Sequence, residues 1–244
     1  VALHVETGGT PGGPTLLLLH GLGGSGEAWD GVRAHLPEWW PGEWVIPDLP
    51  GHGASDRLPA YSFGAMAAAV ASVLPTGKPV AVLGHSLGGV IGLALASGWF
   101  GVEVAAVCGL GIKVSWSPAD LAKAAELAAK PTRVFATRAE AEDRARKVAG
   151  LPEATPRLVA ETDGGWRLAL DPAAFAVGRP DLPGLLAAAR ADVTLATGEA
   201  DPLSPEAHLR ALVPDPVVLP GLGHAAHAED PAALRPLLAA IRSR

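Results

Sequence analysis

The stretch VAVLGHSLGGVIGLALA, Val80–Ala96, decides how the rest of the chain is read. It opens with an apolar run of strand length and closes with an apolar run that suits a buried helix. Between them Gly84, Ser86 and Gly88 spell G-x-S-x-G. A serine on so sharp a strand-to-helix turn has its hydroxyl lifted clear of the sheet. The residues two before and two after it must then lack side chains. The helix that follows aims its N-terminus, and with it a partial positive charge, at the reacting centre.

Working outward, further short apolar runs stand at Leu16–Leu19 and Trp44–Ile46 before this stretch. Others follow it at Val104–Leu110, Val193–Ala196 and Val217–Leu219. Such runs, separated by helix-like segments, predict an α/β fold: a mostly parallel sheet covered on both faces. Val1–Glu6 is expected to add an edge strand. In the closing stretch DPAALRPLLAAIRSR, Asp230 caps a helix, Pro231 takes its first position, and the leucines recur on one face.

The alternation breaks between Lys113 and Pro183. Ser117 precedes Pro118 as an N-cap, Thr137 and Glu140 have capping-box spacing, and Gly150 is placed to end a helix. Residues 113–183 are therefore read as a helical insertion, a short cap or lid over one core domain formed by residues 1–112 and 184–244.

At 244 residues and 49% hydrophobic content the chain is long and apolar enough for one large core. A net charge of −6 provides no basic footprint for nucleic acid or anionic lipid. Pro79–Val102 lacks Asp, Glu, Lys and Arg and is long enough to cross a bilayer. Its histidine, serines and clustered glycines make it a buried strand, turn and helix instead, so no membrane span is expected. The single cysteine, Cys108, lies in an apolar run and reads as a buried, inert thiol. A cytoplasmic setting is expected, and a chain starting at Val1 is compatible with a leader removed upstream.

Serine becomes a nucleophile only when a base takes its proton and a carboxylate orients that base. Two loops downstream offer both. DVTLATGEADPLS, Asp192–Ser204, carries Glu199 and Asp201 after a strand, and VVLPGLGHAAHAEDP, Val217–Pro231, carries His224 and His227 after another. Catalytic groups in open α/β sheets collect beyond the carboxyl ends of strands, where all four lie.

A competing chemistry is written in TLLLLHGLGGSGEAW, Thr15–Trp29. Gly21, Gly23 and Gly26 form G-x-G-x-x-G after a strand, and Asp48 stands where a dinucleotide site would want an acid. His20 immediately before the first glycine is no part of that fingerprint. There is also no phosphate-loop motif and no cysteine–histidine spacing for a metal, so neither cofactor nor metal is expected.

The elbow, with GEADPLSP at Gly198–Pro205 and GLGH at Gly221–His224, resembles the α/β-hydrolase fold superfamily, and the likeness covers nearly all of the chain except the insertion. The resemblance implies Ser86 as nucleophile, Asp201 rather than Glu199 as the orienting acid, and His224 as base. His227 is then a surface or second-layer residue. HGLGG, His20–Gly24, matches the family's oxyanion loop, which implies that His20 and Gly21 shape the turn and that the Leu22 and Leu87 amides hold an oxyanion. DLPGHGASD, Asp48–Asp56, also matches, which makes Asp48 a structural residue bonded to loop amides.

The implied activity is that of a serine esterase, a carboxylesterase-like hydrolase that passes through an acyl-enzyme, with thioesters and lactones in the same chemical range. Its partner would be a small-molecule ester, and the chain a monomer or weak homodimer. A carbon–carbon hydrolase or lyase of the menaquinone-synthesis type uses the same triad, but such lyases carry an arginine where Val90 stands. A low-turnover binding or receptor protein and a peptidase or amidase are the remaining alternatives. Trp29, Trp116 and Trp166 are candidate substrate-pocket residues, with buried packing as the competing reading.

Overall fold

The computed structural model describes residues 1–242. Ten strands are formed: β1 Val5–Gly9, β2 Thr15–Leu19, β3 Glu43–Pro47, β4 Val80–His85, β5 Val104–Leu110, β6 Val134–Phe135, β7 Val159–Thr162, β8 Gly165–Leu168, β9 Asp192–Gly198 and β10 Val217–Leu219. Seven of them make one sheet in the order β1-β3-β2-β4-β5-β9-β10. Within it β1 runs antiparallel to β3 and all other neighbours are parallel. The fold is therefore the doubly covered α/β sheet expected, with its edge strand at Val5–Gly9 rather than Val1–Glu6.

Each central strand is apolar along its whole length because both of its faces are covered. Leu17 and Leu19 of β2 join Val80 and Val82 of β4 in one layer, against the helices Phe63–Ala71 and Leu87–Ala96. Leu16 and Leu18 join Ala81 and Leu83 in the other layer, against Trp29, Leu36 and the closing helix Arg235–Arg242. The period of two along each strand thus sorts successive side chains into two cores. Cys108 is fully buried in the second core, and that burial pushes its thiol up to about 12. Among the described residues no helix is long and apolar enough to cross a membrane.

Strand register brings the loops of interest together. Leu19 pairs with Gly84, His85 with Leu110, Leu110 with Ala196 and Gly198 with Leu219, so the central strands end along one edge. The residues that follow β2, β4, β5, β9 and β10 therefore emerge side by side.

Between β5 and β9 the chain leaves this sheet. Ser117 caps the helix Pro118–Ala128 in a capping box with Asp120. Thr137 and Glu140 form another on Arg138–Ala149, which ends at Gly150 with φ 67°. The segment is not purely helical, as the sequence suggested. β6, β8 and β7 form a small antiparallel sheet, and the helix Leu182–Ala188 runs across the expected boundary at 183. A third apolar cluster, including Phe135, Ala141, Ala145 and Leu158 with Ala28 and Ala225 of the core, joins the segment to the sheet domain.

Candidate active site

Ser86 follows β4 directly and precedes the helix Leu87–Ala96. Its φ of 50° is the only positive value among the described non-glycine residues. A methyl group on Gly84 would lie 2.3 Å from the Gly88 carbonyl oxygen, and one on Gly88 would lie 2.4 Å from that of Leu19. Both clashes are with backbone, so the turn tolerates only glycine at these two places. The Ser86 amide donates to the Leu110 carbonyl at 2.8 Å, which pins the elbow to β5.

Asp201 and His224 meet at the same edge. Nδ1 of His224 lies 2.8 Å from Oδ2 of Asp201, whose side chain is fully buried. Oδ1 of Asp201 accepts from the amides of Leu203 at 2.8 Å and Ser204 at 3.3 Å. The carboxylate is held by its own loop through one oxygen and presents the other to the imidazole. His224 therefore carries its proton on Nδ1 and leaves Nε2 as an acceptor. Among the described residues the Ser86 hydroxyl has no hydrogen-bond partner, so the closed half of the arrangement is the one between base and carboxylate.

The other histidines of this edge are structural groups, and their protonation follows from their partners. The Leu49 amide donates to Nε2 of His20 at 2.9 Å, so Nδ1 carries the proton and donates to the Gly21 carbonyl at 2.8 Å. Burial lowers the pKa of His20, which fits this neutral form. His85 reaches the carbonyl of His224 with Nε2 at 2.9 Å and packs in tilted contact with the rings of His224 and His227. Burial, helped by the two neighbouring histidines, pushes His85 well below its ordinary value. A methyl group on Gly21 would lie 2.7 Å from Nδ1 of His85 and 3.4 Å from Cβ of Ser86, so the loop after β2 packs onto the elbow.

That loop places Leu22 beside Leu87. Both residues line a cavity of about 70 Å³ at Ser86, together with Phe63, Val90, Lys113 and Trp116. Neither the Leu22 nor the Leu87 amide donates a hydrogen bond among the described residues. Two free backbone donors thus flank the serine, one of them at the N-terminus of a helix.

Asp48 proves structural. Its buried carboxylate accepts from the amides of Gly26 at 2.6 Å and Ala54 at 3.0 Å, and it pairs with Arg157 at 3.2 Å.

The three tryptophans separate. Trp116 lines the cavity, its indole N–H donating to the Lys113 carbonyl at 3.0 Å. Trp29, read from sequence as a pocket candidate, is fully buried on the opposite face of the sheet, because the turn Gly26–Trp29 folds it into the core against His227. Trp166 sits on β8 under the Arg138 guanidinium, packs against the third cluster and does not line the cavity at Ser86. His227 is not a surface residue. It lies fully buried in the short helix Ala226–Glu229, and burial pushes its pKa down to about 3. Sequence reasoning missed Phe63 and Lys113; the position of Lys113 just past the end of β5 was the available signal.

The model of a family described as "Alpha/beta hydrolase family" matches residues 16–237. The chain belongs to the alpha/beta hydrolase family. Among curated members, lipase LipV of Mycobacterium tuberculosis is 35% identical over 99 residues, covering 40% of this hydrolase-family chain and 37% of the lipase. The pimeloyl-[acyl-carrier protein] methyl ester esterase of Neisseria meningitidis is 40% identical over 80 residues, covering 33% of this chain and 24% of the esterase. In both cases the likeness spans well under two thirds of the relative's length. Among solved structures, the thioesterase domain from the curacin biosynthetic pathway superposes with a TM-score of 0.76 at 23% identity, covering 98% of this chain and 100% of that domain. At that identity the likeness is one of fold.

Proposed function

We propose that this hydrolase-family chain is a serine esterase, cleaving a carboxylic ester through an acyl-enzyme. The observation that carries the reading is the 2.8 Å contact from His224 to the buried, doubly amide-bonded Asp201, at the sheet edge where Ser86 stands on its strained turn. Ser86 Oγ attacks the carbonyl carbon while Nε2 of His224 takes its proton, and Asp201 stabilises the imidazolium that forms. The tetrahedral oxygen accepts hydrogen bonds from the Leu22 and Leu87 amides. His224 then gives the proton to the departing alkoxide, leaving the acyl group on Ser86. Water, deprotonated by the same imidazole, attacks that ester and returns free serine and a carboxylic acid. The open Ser86 hydroxyl accords with this sequence, since such contacts tighten when substrate binds.

The cavity beside Ser86 is small and apolar apart from Lys113, which favours a compact acyl group. The segment from 113 to 183 acts as its cap, with Trp116, Val177 and Pro180 forming the cover. Relatives named lipase and esterase accord with this activity.

The test is Ser86→Ala on a short p-nitrophenyl ester. The rate should fall by about 10⁴-fold or more, since the members of such a triad act as a unit. A variant turning over within tenfold of the parent would sink the mechanism, and chelators should leave the parent rate unchanged.

A further inference from the structure

The segment between β5 and β9 encloses a second cavity of about 310 Å³ that shares no lining residue with the one at Ser86. Its floor is apolar, built from Leu127, Phe135, Val148, Leu168, Leu170 and Phe175, and its rim carries Lys130, Arg133 and Arg144. No acid lines it. From Leu127 to Ala139 the sequence contains Lys130, Arg133 and Arg138 but neither Asp nor Glu.

Most cations of this segment have a carboxylate partner. Arg138 is paired with Glu142, Arg146 and Lys147 with Asp143, and Lys113 with Asp120. Lys130 is paired with Glu126. Arg133 and Arg144 have no carboxylate partner among the described residues, and the Arg133 guanidinium is held over the Phe135 ring at 4.5 Å, at the cavity's edge. In a chain of net charge −6, an acid-free rim with two uncompensated guanidiniums above an apolar floor is complementary to one kind of molecule.

We propose that this cavity binds a medium-chain fatty carboxylate, with the hydrocarbon chain on the apolar floor and the head group between Arg133 and Arg144. A volume near the lower end of the roughly 300–1,000 Å³ common for ligand pockets suits a single unbranched chain. A carboxylate fits better than a phosphate ester. The helices Pro118–Ala128 and Arg138–Ala149 reach the cavity with their C-terminal parts, whose partial negative charge weighs more heavily against a dianion, and only the short 3-10 turn Pro172–Val177 begins there. The site also has a mechanical neighbour, because a methyl group on Gly23 would lie 2.9 Å from Cγ1 of Val148. One side chain separates this cavity from the loop that carries Leu22.

The test is calorimetric titration with sodium decanoate, decanol and decyltrimethylammonium at low salt. Decanoate should bind one to one and about fivefold more tightly than decanol, with the cationic amphiphile weakest, as two exposed guanidiniums can supply about 1 kcal/mol. In the double variant Arg133→Gln, Arg144→Gln, whose substitutions lie on exposed side chains, decanoate should fall to within about twofold of decanol. Protein whose Ser86 carries a small organophosphate should bind decanoate unchanged. Equal affinity for decanoate and decanol, a charge preference that survives the double substitution, or loss of binding on blocking Ser86 would each overturn the assignment. The site does not use Ser86, so failure of the esterase reading would leave these outcomes decisive.

Discussion

At Ser86 a single residue carries a strain that its neighbours make unavoidable. A positive φ costs a non-glycine residue about 1–3 kcal/mol, and the surrounding backbone must over-determine it. Here the Leu110 carbonyl holds the Ser86 amide, and the Leu19 carbonyl lies where a side chain on Gly88 would go. Gly88→Ala should therefore lower the melting temperature by several degrees and cut turnover of a short ester at least tenfold, since relief requires moving the strand or the elbow. Gly64→Ala is the matched control. It lies in the helix Phe63–Ala71, and the nearest atom to an added methyl is at 4.0 Å. That variant should gain about 0.5 kcal/mol in denaturant unfolding through the restricted unfolded chain. Equal effects from the two substitutions would refute the steric account. At this scale the sequence was most legible, because a G-x-S-x-G turn and the loop carrying His224 are local patterns. The side chain of Trp29 was not, because which face of a sheet a turn residue joins depends on the strands beneath it.

Among elements, the segment between β5 and β9 is tied to the core by charge as well as by apolar packing. Arg157 pairs with Glu6 of β1 at 2.6 Å and with Asp48 at 3.2 Å, and its amide donates to Glu27 at 2.7 Å. Asp48 in turn holds the Gly26 amide, so one buried carboxylate joins this segment to the loop after β2. Removing the cation leaves that carboxylate buried with two amide donors and no counter-charge. Arg157→Met should cost about 3 kcal/mol of unfolding free energy. It should also slow ester turnover, and Asp48→Asn added to it should recover part of the stability. A loss below about 0.5 kcal/mol in denaturant titration would mean that solvent already screens the pair. The ends of the two long helices in this segment were readable, since capping boxes are written in four residues. The small sheet was not, because β6 has two residues and β7 and β8 four each, too short for alternation to register. The Arg157 network was equally hidden, as its partners come from positions 6, 27 and 48.

For the whole molecule, the most consequential feature is the number of histidines the fold keeps from water. His20, His52, His85 and His227 are all buried, whereas a histidine in the unfolded chain titrates near 6.5. Burial lowers all four, with His52 and His227 pushed down to about 3. Each native imidazole therefore refuses a proton that the unfolded chain accepts below about 6.5. The stability they contribute is complete above that pH and is lost as pH falls toward 3. Each group that stays neutral can remove about 1 kcal/mol per pH unit once the unfolded form is protonated, so His52 and His227 alone weaken the fold by about 3 kcal/mol by about pH 5. The urea midpoint should drop steeply between pH 7 and 5. In His227→Phe, which keeps the ring against Trp29 and removes two buried ring nitrogens without partners among the described residues, the drop should be visibly shallower. A midpoint that stays level from pH 7 to 5, or an unchanged slope in that variant, would show that these imidazoles are protonated in the native state.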